Sequence, residues 1–189
     1  YPMSRRMVNL VRCRLLLPNH ELLSDHGDRL LAEHSGLLLR TMETHVRANH
    51  LLTNLKALAL TASILPDYAP LEEAENTIWT DLDTELQEQF LPDGAHFERS
   101  PMYHSHATAD LSELAAILPR HPRVPGKLIQ RIMQTRDKAL HALSLLRHPD
   151  GGLAFFHDAN LEELLDTSQS ATLAPPPGEG LHALPHTGF

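Results

Sequence analysis

Twelve residues carry most of the chemistry in this chain: Asp93-Gly94-Ala95-His96-Phe97-Glu98-Arg99-Ser100-Pro101-Met102-Tyr103-His104. Pro92-Asp93-Gly94 is a turn signal. Ser100 followed by Pro101 reads as a helix start, with serine at the N-cap and proline at the first helical position. Leu111, Leu114, Ala115 and Leu118 continue that helix at the spacing of one face. Tyr103 and His104 therefore fall in its first turn. Backbone N–H groups there point out of the helix end, where the dipole is positive and attracts anions. Such a place favours a phenolate over a phenol by about 0.3–1 kcal/mol. The alternative is a surface loop that packs Phe97 and pairs Glu98 with Arg99.

The elements that must position these residues are helical. Residues 3–17 place Met7, Leu10, Val11 and Leu15 at helical spacing, with arginines between. His20 to about Arg47 forms a long amphipathic pattern, with Gly27 and Gly36 as weak points and a kink expected at Gly36. Asn49-His50 opens a helix apolar nearly all round, with Lys56 as its one charge. Such a helix is buried on all sides. Residues 71–91 repeat Ile78, Leu82, Leu86 and Phe90 on one face, with acids on the other. Residues 101–118 and 126–147 complete the set, joined by the proline-punctuated stretch His121–Pro125. Pro149-Asp150-Gly151-Gly152 is a turn, Leu153–Phe156 suits a short extended piece, and a short helix is expected over 160–166. Residues 167–180 read as a Pro/Gly linker. Leu181 to Phe189 is expected to have no partner within the chain. Short connections make sequential helices antiparallel neighbours. The helix starts near residues 50 and 101 should then share one end, where Asn49, His50, Tyr103 and His104 converge.

Composition narrows the function. The chain has 189 residues, 42% of them hydrophobic, enough for a core. A net charge of -8 with histidine neutral argues against nucleic acid as the main partner. No apolar run reaches the ~20 residues a membrane span requires. The single cysteine, Cys13, excludes an internal disulfide and a cysteine-based zinc site. His104-x-His106 is the one tight pair among 14 histidines and lacks the spacing of a helical metal site; no metal is expected. The chain opens on Tyr1, so a start region is expected to be missing.

The string His96-Phe97-Glu98-Arg99-Ser100-Pro101-Met102-Tyr103-His104 resembles a signature of the heparinase II/III-like family. Asn49-His50-Leu51-Leu52, with Asn54 and Lys56-Ala57-Leu58, is similar to that family's buried Asn-His helix. Pro149-Asp150-Gly151-Gly152 with Phe155-Phe156 and Asp158 resembles the end of its helical domain. Leu184-Pro185-His186-Thr187-Gly188-Phe189 resembles the beginning of its C-terminal β-sandwich. The resemblance implies an all-α fold, an incomplete (α/α) toroid of inner and outer antiparallel helices, normally followed by a β-sandwich absent here. On that reading residues 1–166 are the helical domain, with truncation expected at its N-terminus, 167–180 the linker and 181–189 the start of the sandwich.

The same resemblance implies a bacterial polysaccharide lyase that needs no cofactor and cleaves a uronic-acid-containing glycan by β-elimination. The uronate C5 proton is weakly acidic beside a carboxylate. Its removal builds a dianionic state that amide, imidazole or guanidinium donors must neutralise. By the match, Asn49 and His50 occupy the carboxylate-binding and base region, and related lyases differ on which of the two neutralises. Tyr103 matches the catalytic tyrosine; it suits the acid step, and acts as base if its pKa falls well below ~10. Arg99, His104, Glu98, Asn54 and His96 complete the expected substrate contacts, with Glu98 either in contact or holding a neighbour. The implied partners are an acidic polysaccharide or oligosaccharide and the missing β-sandwich, whose histidine completes the family's site, so this chain alone is expected to be inactive. The periplasm is the favoured location, with the cytoplasm as the other. Alternatives are a non-catalytic glycan-binding module and a helical protein-interaction domain. A hydrolase would need two facing carboxylates, whereas the acids here are expected on outer helix faces.

Overall fold

The computed structural model describes residues 2–21, 23–42, 44, 49–160, 180 and 182–189. Among the described residues six α-helices run in order: α1 (Pro2–Leu16), α2 (Asp28–Thr41), α3 (Asn49–Ile64), α4 (Ala69–Gln89), α5 (Pro101–Ile117) and α6 (Gly126–Leu145). Among the described residues the only β pairings are two isolated bridges, Phe90 with His96 and Arg147 with Leu153, and no helix is long and apolar enough to cross a membrane. The chain divides into two compact units. The first comprises Tyr1–Glu85 and Ala116–Ile129, the second Leu86–Ala115 and Gln130–Phe189.

In the first unit α3 is the inner element. Every residue from Leu51 to Ala62 is buried, Lys56 included. This follows from a sequence with almost no polar face, which is stable only when covered on all sides. α1 covers part of it with Met7, Val8 and Val11. α2 covers another part with Leu31, Ser35 and Leu38, spaced at four and three residues along one face.

The long helix expected from His20 to Arg47 is broken in two places. A π-turn, Leu23–Gly27, precedes α2, and the helix ends at Thr41. There the threonine hydroxyl turns back to Leu37 O at 2.9 Å and Met42 becomes extended with ψ 131°. The pitch changes at Gly27, where glycine costs a helix about 1 kcal/mol. Gly36 does not interrupt the helix. It sits inside α2, where an added Cβ would lie 3.4 Å from the Tyr68 hydroxyl.

The acids of α4 do not all face outward, as the pattern suggested. Glu75 is 4% exposed. Arg123 grips it through Nε (2.8 Å) and a terminal guanidinium nitrogen (3.0 Å), and also donates to Pro66 O. His121 accepts the Arg123 backbone N–H at Nδ1 (3.2 Å), holds Nε2 3.3 Å from Glu75, and meets Trp79 edge-on. A buried carboxylate is tolerated only with such partners. The cluster fastens the 119–125 connection to α4.

The second unit is organised around the turn after α4. Leu91 donates to Ala95 O (2.9 Å), Gly94 to Leu91 O (2.8 Å) and Phe97 to Gln89 O (2.8 Å). Gly94 has φ +88°, and a Cβ there would sit 2.4 Å from the carbonyl oxygen of Lys138 in α6. Only glycine allows both the left-handed turn and that approach. A second turn follows α6. Asp150 accepts Gly152 N–H at 2.9 Å and Ala154 donates to Leu146 O at 2.8 Å. The extended piece expected over Leu153–Phe156 reduces to one bridge at Leu153, and Phe155 and Phe156 are exposed.

The C-terminal stretch does have a partner, contrary to the sequence expectation. Leu184 is buried with Ala95, Ala142 and Leu146. Asp93 accepts the backbone N–H groups of His186 and Thr187, each at 2.8 Å, and the Thr187 hydroxyl at 3.0 Å. Its complement was the Pro92-Asp93-Gly94 turn, which lies far away in sequence. The expected helix over 160–166 and linker over 167–180 lie outside the described residues, save Asn160 and Gly180.

Candidate functional site

The expected site residues form two groups, one in each unit. In the first unit Asn49 and His50 open α3, and both are half-buried. Asn54, one turn on, is fully buried and accepts a hydrogen bond from Ser4 of α1. That contact ties α1 to α3. Asn54 therefore helps hold the inner helix in place.

The second group lies in the loop before α5 and in its first turn. The helix starts at Pro101, and His104 N–H donates to Ser100 O at 2.9 Å, its first i to i+4 bond. Ser100 is the N-cap by position, yet its hydroxyl is buried with no hydrogen-bond partner among the described residues. Tyr103 is half-buried and its ring meets that of His106 edge-on at 6.4 Å. Arg99 is exposed and has φ +58°. Left-handed backbone costs a side-chain-bearing residue roughly 1–2 kcal/mol. The hydrogen bond from Arg99 N–H to His96 O (3.0 Å) and the buried Ser100 that follows hold it there. Strain of this kind collects at ligand-binding positions.

His96 and His104, expected as substrate contacts, are buried and bonded within the chain. Each is 1% exposed. His104 Nδ1 accepts the backbone N–H of His96 at 3.1 Å, and Nε2 donates to Ala139 O of α6 at 2.9 Å. Both ring nitrogens are thus committed, and the imidazole is neutral with its proton on Nε2. Burial pushes its pKa down to about 4, against the opposing pull of the Ala139 carbonyl and Asp93. His96 Nε2 lies 3.0 Å from Gln89 Oε1, and its ring is held edge-on by Phe90 and Phe97. Burial first, and the neighbouring His104 second, bring its pKa down to about 3.

Glu98 sits between roles. One oxygen lies 3.5 Å from His96 Nδ1. Burial, and then the charge of Asp158, raise its pKa. A carboxyl group of raised pKa beside an unprotonated ring nitrogen is well placed to hold a proton. Among the described residues no three His, Cys, Asp or Glu side chains are grouped to hold a metal ion. Three participants escaped the sequence reading: Gln89, the Ala139 carbonyl and the Asp93–Thr187 contact. A backbone carbonyl has no sequence signature, and Asp93 signalled only a turn.

Residues 29–174 match the family described as Heparinase II/III N-terminus. The chain belongs to that family. Solved structures agree on the fold. A crystal structure of heparinase III is 24% identical with TM-score 0.59, over 79% of this chain and 23% of that one. A heparan sulfate lyase from Pedobacter heparinus is 20% identical with TM-score 0.57, over 80% and 24%. A further heparinase III gene product is 20% identical with TM-score 0.57, over 78% and 23%. The fold is thus that of the all-α N-terminal toroid domain of the heparinase III relatives, as the resemblance implied. This chain of the heparinase II/III family spans about a quarter of the length of those structures. No curated protein matches it.

Proposed function

We propose that this chain is the helical part of a polysaccharide lyase that cleaves a uronic-acid-containing glycan by β-elimination. The observation that carries the reading is the family match over 29–174, joined to a half-exposed Tyr103 in the first turn of α5 beside a strained, exposed Arg99. In the proposed reaction Asn49 and His50, at the start of α3, and Tyr103, in the first turn of α5, carry separate roles. Asn49 and Arg99 neutralise the substrate carboxylate, so that charge building on it at C5 is met by fixed donors. His50 takes the C5 proton, the C4=C5 double bond forms, and the C4–O4 bond breaks. Tyr103 gives its phenolic proton to the departing O4. His96, His104 and Asn54 hold this machinery without touching the sugar. The whole protein, with its expected β-sandwich and a histidine from it, carries the complete site.

The test is ultraviolet absorbance of the unsaturated uronate product. The full-length protein is incubated with heparan-type, alginate-type and capsule-type glycans. One of them should yield product, and Tyr103→Phe should not. Glycan binding with no product from any of them would leave a non-catalytic binding module in place of the lyase.

A further inference from the structure

We infer that the C-terminal turn over 184–189 is a positioning element for the loop that carries Arg99 and Tyr103, with Asp93 as the residue that couples the two. The inference rests on the lyase reading for its consequence but not for its geometry.

The turn closes on itself. Leu184 N–H donates to Phe189 O at 2.7 Å and Gly188 N–H to Leu184 O at 2.8 Å. Its outward donors converge on one carboxylate. Asp93 takes the N–H groups of His186 and Thr187 and the Thr187 hydroxyl, while its Oδ1 also takes Ala95 N–H at 3.3 Å. The same side chain therefore bonds the turn on one side and the site loop on the other. Apolar packing runs parallel to it, since Ala95 and Leu184 share one buried cluster with Ala142 and Leu146 of the α6 region. From Ala95 the path to the site is short. The next residue, His96, donates its N–H to His104, which neighbours Tyr103. Lys138 backbone lies close on the side where a Gly94 side chain would be, which blocks movement of residue 94 toward α6. Movement of the turn is then passed through the Asp93 and Ala95 contacts toward residues 95–104.

Thr187→Val is the cleaner probe, because it removes a donor on the far side of the contact and leaves the site loop's own bonds intact. Asp93→Asn is the second variant, since an amide cannot accept from all of these donors. Thr187→Ser restores the hydroxyl. Leu60→Ala, in the core of α3, controls for general loss of stability. The readouts are the NMR signals of the Tyr103 ring and the Arg99 side chain, with circular dichroism to establish folding. Affinity for a heparan sulfate oligosaccharide is the second readout. Both signals should move in Thr187→Val and Asp93→Asn, return in Thr187→Ser and stay in place in Leu60→Ala. Oligosaccharide affinity should fall by about tenfold in Thr187→Val, as displaced binding groups do. Folded Thr187→Val and Asp93→Asn proteins with both signals at their wild-type positions would overturn the inference. A wild-type protein that ignores the oligosaccharide while its signals still respond would instead count against the glycan reading alone.

Discussion

The backbone N–H of His96 donates to Nδ1 of His104, and His104 donates its own Nε2–H to the carbonyl of Ala139. A side chain expected to face a sugar thus stitches the site loop to α6. This arrangement requires a neutral imidazole, and that requirement has a cost in acid.

The unfolded chain takes up protons on both histidines below the ordinary value of 6.5, whereas the folded chain refuses them until about pH 4 for His104 and about pH 3 for His96. The unfolded state therefore binds more protons through this window, and stability falls as pH falls. Each histidine contributes a slope approaching about 1.4 kcal/mol per pH unit. Asp93 acts in the same sense. Burial would raise its pKa, but the hydrogen bonds from Thr187, Ala95 and His186 outweigh it and hold the pKa below normal. That stability is present above the unfolded carboxylate pKa and is lost as pH drops through the folded one. Urea midpoints should decline steadily from pH 6.5 downward, and His104→Asn should start lower but decline less steeply. Parallel slopes for the two proteins would contradict the neutral, buried state of His104.

How much of this was legible beforehand differs by element. α3 announced its burial, because ten apolar positions between Leu51 and Leu65 leave no face for water. Ser100-Pro101 announced the start of α5. The end of α2 at Thr41 was not legible, because Leu37, Leu38 and Met42 continue the helical pattern across a backbone that has already turned. The buried Glu75 was equally hidden, since the distant Arg123 and His121 make its burial tolerable. Within the site, residue types and the helix start could be read, but not whether a histidine faced solvent. That depended on Ala139 O, 35 positions away.

Gly94 gives a sharper test of the loop. Its φ of +88° is unfavourable for any other residue, and a Cβ would lie 2.4 Å from Lys138 O and 2.5 Å from Lys138 C. Backbone atoms of a helix cannot swing aside as a flexible side chain would. Gly94→Ala should cost about 2–4 kcal/mol of stability in urea unfolding. By contrast Gly151→Ala, with φ +86° but nothing within 4 Å, should cost only about 1 kcal/mol.

Arg99 separates backbone from side chain. At φ +58°, glycine is tolerated where alanine keeps the strain, so Arg99→Gly should exceed Arg99→Ala in stability by about 1 kcal/mol. Both variants lose the guanidinium, so both should lose glycan affinity equally. Unequal affinities would mean that the left-handed backbone, and not the charge, is what the glycan reads.

Tyr103 carries the strongest functional prediction. Its ring is half-buried beside His106 in the first turn of α5, so removing the hydroxyl alone leaves the packing of the ring in place. Tyr103→Phe should therefore change the thermal midpoint little. If the phenol protonates the leaving oxygen, turnover of the full-length protein should drop by about 10²–10⁴-fold, with KM nearly unchanged. A rise in KM at unaltered kcat would make Tyr103 a binding group and move the proton transfer to another residue. Glu98, with its raised pKa 3.5 Å from His96, would then be the first to substitute.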